Sequence, residues 1–288
     1  NLWDRRFGMM RKRTMYGRYA LNVFAGLGLL YLFAPIFFIV AFSFNKPKGN
    51  FNIAWQSFTF DNWLHPFAEQ SLTRALWKSM EIAAVSTLIS TILGSLIAVA
   101  LSRYKFRGSG GINLFLVLPL TTPEIVLGSS LATLFLGQNF IDFGMTTIII
   151  AHIMFQVSFV ALTVRARIRG FDWTLEQAAQ DLGATPLRTF MKVTFPLILP
   201  GILAASLLAF ALSIDDFIIT FFNSGPVQTF PLQIYGASRV RIPPQINVLA
   251  SMILFLSVAI LMTGTIAGMR KSAEKQATAK KFKLLHRK

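Results

Sequence analysis

The sequence predicts an all-α membrane protein with six transmembrane helices and cytoplasmic N- and C-termini. Three observations carry this. The 288 residues are 54% hydrophobic and only 14% charged, with a mean hydropathy of +0.56; an ordinary soluble protein is roughly 25% charged. The charges are clustered, which leaves uncharged runs at 19–45, 82–102, 143–164, 193–214 and 242–269. The segments between these runs then alternate between rich and poor in Lys and Arg. Disorder is excluded by the 28 Phe, and disulfides, thiol catalysis and cysteine metal sites by the lack of any Cys.

A helix needs about 20 apolar residues to cross the hydrocarbon. Spans fit at roughly 19–44, 80–102, 112–137, 141–164, 197–222 and 246–269. The first follows Arg11, Lys12 and Arg13, as a secretory signal would. It is longer than a signal's apolar core, and no small-residue cleavage site precedes Lys46. The third is uncharged except for Glu124, and Pro119 and Pro123 predict a break within it. A very short turn joins it to the fourth.

Lys and Arg number 6 in 1–18, 3 in 103–111, 5 in 165–196 and 8 in 270–288. The other segments hold 4 in 45–79, none between the third and fourth spans, and 2 in 223–245. The positive-inside rule places the first group in the cytoplasm, which requires an even number of spans. The domains are then a basic tail (1–18), a six-helix membrane domain (19–269) and a second basic tail (270–288). The net charge of +16 is therefore no nucleic-acid footprint, because the bases lie between apolar spans.

Enzyme motifs are missing. No phosphate-binding loop of the G-x-x-x-x-G-K-[ST] type occurs, and Gly26-x-Gly28 lies inside an apolar span without the third glycine of a dinucleotide site. His65, His152 and His286 share no metal-ligand spacing. His152 falls mid-span, where a histidine reads as a helix-packing hydrogen bonder. The first loop carries Trp55, Phe58, Phe60, Trp63 and Trp77. These read either as interface anchors or as a docking surface for an external partner.

The fourth loop has a helix–turn–helix pattern over 170–196. Asp172 and Thr174 are N-cap candidates, Leu175, Ala178, Ala179 and Leu182 recur at helical spacing, and Gly183 can end the helix. A second helix can start at Pro186 and present Leu187, Phe190, Met191 and Val193, with Pro196 and Pro200 marking the return to the membrane. The pair reads equally as a partner-docking element and as an amphipathic pair lying on headgroups.

The same loop resembles the coupling motif of ABC-importer permeases: E-A-A, three residues, glycine, and a spacer ending in proline. Ala178, Ala179, Asp181, Gly183 and Pro196 match it. The motif's glutamate falls at Gln177, while Glu176 stands one residue early. Arg103 to Gly108, Pro123 to Val126, Ser213 to Asp216, Ser224-Gly225-Pro226, Leu232-x-Ile234-Tyr235 and Pro244-x-Ile246-Asn247 are similar to the second permease of spermidine/putrescine-type importers. The resemblance implies a type I ABC-importer permease fold in a bacterial plasma membrane and a non-catalytic transport subunit. It implies a second permease subunit, two ATP-binding subunits carrying ATP and Mg, an external substrate-binding protein and a small cationic amine as cargo. Glu176, Gln177, Ala178, Ala179, Asp181, Gly183 and Ala184 would then face the ATPase.

Three carboxylates fall within spans: Glu124, Asp215 and Asp216. Each is expensive in hydrocarbon, and such residues normally face a cavity or a partner. On straight helices Glu124 would lie ~18 Å and Asp215 ~27 Å from the cytoplasmic entry. Asp215 and Asp216 would point ~100° apart. With Phe217, Phe221 and Phe222 nearby, they form a candidate path for a polyamine, whose ammonium groups want carboxylates and aromatic faces. The alternatives are bonding to Ser213, Thr220 or the partner permease, an importer for an aminophosphonate or opine, and an ion-coupled secondary transporter using the carboxylates as a relay.

Overall fold

The computed structural model describes residues 2–104, 106–137, 141–259 and 262–263, with side chains described from residue 19 onward. The basic C-terminal tail, the end of the sixth expected span and the turn at 138–140 lie outside the described residues. Among those described, the regular structure is helical, with only isolated bridges between extended segments. Two units are present, one formed by 1–69 with 240–288 and one by 70–239.

The first unit holds α1 (Leu2–Phe42), α2 (Asp61–Leu64) and α12 (Pro244–Ala259). The expected first span is the C-terminal part of a longer helix, and the most apolar window of its Tyr19–Phe42 portion has no buried residue. The loop after it is folded. Asn45, Asn52 and Asn62 are buried; the Asn45 amide donates to Asn52 Oδ1 at 2.6 Å, and that of Asn62 to the carbonyls of Ser43 and Asn45 at 3.0 and 2.8 Å. Phe44 stacks on Phe58 and Trp63, and Trp63 on Phe255. Of the loop aromatics expected as interface anchors or as a docking surface, Trp55, Phe58, Phe60 and Trp63 pack with Phe42 and Phe44, beside backbone-seeking amides, while Trp77 stands exposed on the helix that begins at Gln70. The sixth expected span begins in α12, two residues early.

The second unit carries α3 (Gln70–Arg103), α4 (Ser109–Thr121), α5 (Glu124–Gly137), α6 (Met145–Ile168), α7 (Thr174–Asp181), α8 (Pro186–Thr189), a π-helical turn (Phe190–Thr194), α9 (Phe195–Asp215), α10 (Ile218–Asn223) and α11 (Phe230–Val240). Helices α3, α6 and α9 pack together around Ala98, Val160, Val164, Ile198, Ala205 and Ala209. Small residues let the backbones approach, as membrane helices without a hydrophobic drive between them require. A Cβ on Gly94 of α3 would sit 2.7 Å from Val160 Cβ, and one on Gly201 of α9 would sit 2.6 Å from Arg167 Cγ.

The third expected span is broken, as its prolines foretold. Pro123 disfavours helical backbone at the residue before it, and Thr122 is extended (ψ 131°). Helices α4 and α5 meet at 109°. The Leu118 carbonyl accepts from the Thr122 amide at 2.9 Å and from the Thr122 and Thr121 hydroxyls at 2.7 and 3.1 Å. Helix α5 returns against α10, where a Gly128 Cβ would lie 3.2 Å from Ile219 Cα.

The fifth expected span, 197–222, is also interrupted. Helix α9 stops at Asp215, Asp216 is extended (ψ 121°), and α10 starts at Ile218. Among the described residues, four helices are long and apolar enough to cross a membrane, and the bent α4–α5 pair makes a fifth crossing if it counts as one span. Straight-span depths for Glu124 do not hold across a 109° bend.

Gly94→Val should lower thermal stability, because Val160 has no room to move away from an added side chain. Overpacking of this kind costs about 1–3 kcal/mol, read as a fall in the unfolding midpoint of the detergent-solubilised protein.

Candidate functional site

The two helix breaks lie together. Pro119 to Glu124 at the α4–α5 elbow and Asp215 to Ile219 at the α9–α10 break line one cavity of about 700 Å³, with Leu127, Phe155, Phe159 and Leu212 completing its wall. Glu124, Asp215 and Asp216 all face it, and among the described residues no Lys or Arg does. Glu124 is the first residue of α5, where a carboxylate suits the positive end of the helix dipole. Asp215 ends α9 and is exposed. The expected 100° divergence of Asp215 and Asp216 is corrected: the helix ends between them, so both line the same cleft. Phe217 lines it too. Phe221 does not; it is 53% exposed, with its ring 5.7 Å from that of Phe217.

Asp216 is held more tightly than its neighbours. Its Oδ2 accepts the Thr220 amide at 2.8 Å and the Thr220 hydroxyl at 2.7 Å, so it caps the first turn of α10. His152 Nε2 lies 3.3 Å from the same oxygen. The bland expectation for both residues, internal hydrogen bonding, therefore describes them well, although Asp216 also reaches the cleft.

Behind the cleft runs a buried polar ladder that sequence reasoning passed over. His152 Nδ1 lies 2.7 Å from Ser213 Oγ, and its Nε2 lies 3.0 Å from Thr220 Oγ1. Ser213 Oγ is 3.2 Å from Ser86 Oγ. Gln156 donates to Ser86 at 3.4 Å and to the Ala209 carbonyl at 3.1 Å, and accepts from Ser90 at 3.0 Å. The available signal was the pair His152 and Gln156, four residues apart on one face of the uncharged run 143–164.

The fourth loop folds as the helix pair its pattern predicted, with corrections at its ends. Asp172 Oδ1 accepts the Thr174 hydroxyl at 2.8 Å and its amide at 3.0 Å, and these two bonds, in that order, hold the Asp172 carboxyl below the usual range. Trp173, with no side-chain cap, occupies the N-cap position. The end of α7 is a Schellman motif: the Ala184 amide reaches the Ala179 carbonyl at 3.1 Å and the Gly183 amide reaches that of Gln180 at 2.8 Å. Gly183 takes φ +84°, which disfavours residues with a side chain. Thr185 caps α8 and Pro186 is its first residue. The return is continuous through the π-helical turn into α9, with Pro196 in its first turn and Pro200 inside it.

Glu176 faces inward, which corrects its expected outward role. It is buried, paired with Arg103 at the end of α3 at 2.9 Å and hydrogen-bonded by the Thr194 hydroxyl. Gln177, Ala178, Asp181 and Gly183 are exposed, while Ala179 and Ala184 are half-buried. Leu182 is 90% and Leu187 73% exposed, which leaves an apolar tip uncovered by this chain. Phe171 and Trp173 pack the base of the pair onto the α3–α6–α9 core.

The model of the family of binding-protein-dependent transport system inner membrane components matches residues 90–271. The chain belongs to this family. It is 37% identical to the putrescine transport system permease protein PotI of Escherichia coli (strain K12) over 235 residues, 79% of this chain and 83% of that protein. It is 35% identical to the spermidine/putrescine transport system permease protein PotC of Escherichia coli (strain K12) over 259 residues, 90% of this chain and 97% of that one. Its fold is similar to a chain from a bacterial ABC transporter involved in the import of the acidic polysaccharide alginate (TM-score 0.64, 16% identity, 88% of this chain and 97% of that one). It is also similar to one from the MetNI methionine ABC transporter (TM-score 0.57, 17% identity, 68% of this chain and 95% of that one). The chain is thus a multi-pass inner-membrane permease component, a transport subunit by family.

Two outcomes follow from this geometry. Gln156→Leu removes three interhelical bonds, each worth about 0.6 kcal/mol in membrane proteins, so the solubilised protein should lose roughly 2 kcal/mol of stability, read from its unfolding midpoint. Glu176→Ala unties α7 from Arg103 and Thr194. Amide hydrogen exchange over residues 174–181 should then rise about tenfold or more, while α6 keeps its protection.

Proposed function

We propose that this chain is one of two membrane-spanning subunits of an ATP-driven importer for small polycationic amines of the putrescine or spermidine type. The observation that carries the reading is the cleft: three carboxylates, no basic residue, and a wall of proline, leucine and phenylalanine at two helix breaks. Such a lining suits ammonium groups joined by methylenes, with ring faces for cation–π contact. The printed names of its relatives, putrescine and spermidine/putrescine permeases, support the same cargo. A zwitterionic cargo such as an aminophosphonate would want a cation for its acid group, and this cleft carries none.

The partners in this reading are a second permease, two ATP-binding subunits and an external substrate-binding protein. The exposed tip of the α7–α8 pair, with Gln177, Ala178, Asp181 and Gly183, receives the motion of the ATPase. Arg103 and Glu176 pass that motion into α3. The arrangement of basic segments supports cytoplasmic termini and puts this tip on the ATPase side.

Vesicles holding the chain with its permease partner, the two ATP-binding subunits and the binding protein test the reading. Labelled putrescine should accumulate only with ATP. Glu124→Gln and Asp215→Asn, both at exposed positions, should each slow uptake several-fold without preventing assembly. Uptake by this chain alone on an ion gradient would make it a secondary transporter instead. Unchanged rates in both variants would remove the cleft from the path.

A further inference from the structure

The hydrogen bonds around His152 fix a proton on its Nε2. The Asp216 carboxylate can only accept, so the Thr220 hydroxyl spends its single proton on Asp216 Oδ2 at 2.7 Å. The contact of Thr220 Oγ1 with His152 Nε2 at 3.0 Å then requires Nε2–H as donor. The same Nε2–H faces Asp216 Oδ2 at 3.3 Å. At the other ring nitrogen, Nδ1 and Ser213 Oγ lie 2.7 Å apart and share one proton. Ser86 Oγ lies 3.2 Å from Ser213 Oγ and 3.4 Å from the Ala83 carbonyl, and it accepts from the Gln156 amide, which can only donate. Oδ2 of Asp216 is thereby filled by three donors. Among the described residues none engages Oδ1, and Asp216 lines the cleft.

We propose that His152, through its Nε2–H, is the positioning residue for Asp216: it locks one carboxylate oxygen into the protein and leaves the other for a cationic group in the cleft. The inference rests on the reading of that cleft as a cation path. His152 itself does not line the cleft, so it acts through Asp216.

Two substitutions separate positioning from mere packing. Gln in place of His can present an amide N–H where Nε2 stood, whereas Asn reaches only the Nδ1 side. In the assembled transporter with saturating binding protein, His152→Gln should keep putrescine uptake within about twofold of the parent, and His152→Asn should lose about tenfold, the scale of one strong interhelical hydrogen bond. Equal losses in both, tracking a lowered unfolding midpoint, would reduce His152 to a packing role and overturn the proposal. A readout independent of cargo is the 15N spectrum of the histidine-labelled complex, with the His152 signals assigned through His152→Gln. A ring protonated at Nε2, with signals that shift in Asp216→Asn, is expected. A ring without a proton on Nε2, or signals indifferent to Asp216→Asn, would overturn it. A correct spectrum with no amine uptake in the parent would leave the pairing in place and refute the cargo.

Discussion

Hydrocarbon offers no hydrogen bonds, so every polar group placed in it must be answered from within the protein. In this chain that constraint organises the helices. Gln156 joins α6 to Ser86 and Ser90 of α3 and to the Ala209 carbonyl of α9, and His152 joins α6 to Ser213 of α9 and Thr220 of α10. Apolar contacts among Ala98, Val160 and Ala205 bring the helices close but allow sliding; the polar rungs fix the register. The elbow obeys the same rule, since the Leu118 carbonyl at the end of α4 is met by the Thr122 amide and by the Thr121 and Thr122 hydroxyls.

Much of this was legible in the sequence because it rests on local chemistry. Uncharged runs gave the spans, and Pro123 gave the elbow, since proline restricts the residue before it wherever it stands. The break after Asp215 was not legible. No proline or glycine marks it, and the extended backbone at Asp216 is held by Thr220 and His152, one of them 64 positions away in the chain. Periodicity alone continues α9 through that point. The placement of Asp215 and Asp216 on one cleft was hidden for the same reason.

Glu176 teaches a related lesson. Its neighbourhood of acidic, amide and small residues pointed outward as a group, but helical spacing does not say which member faces the core. Arg103 decides it, and Arg103 ends a helix that finishes 73 residues earlier. Gln177, one step of ~100° further round, is therefore on the open side. The ladder was overlooked because serine and glutamine carry no charge, although in lipid their demand for partners is nearly as binding.

The π-helical turn at Phe190–Thr194 sets how the α7–α8 pair is aimed. A π-turn accommodates one residue more than an α-turn, so the chain on its two sides is offset by about 100° around the common axis. The orientation of the tip is therefore encoded in a length as well as in the contacts of Glu176 with Arg103 and Thr194. Removing a single residue there would let the helix run on as a regular α-helix and would swing Leu182 and Gln177 a quarter-turn away from their present bearing. Across related chains this short stretch would keep its number of residues and the hydroxyl at Thr194.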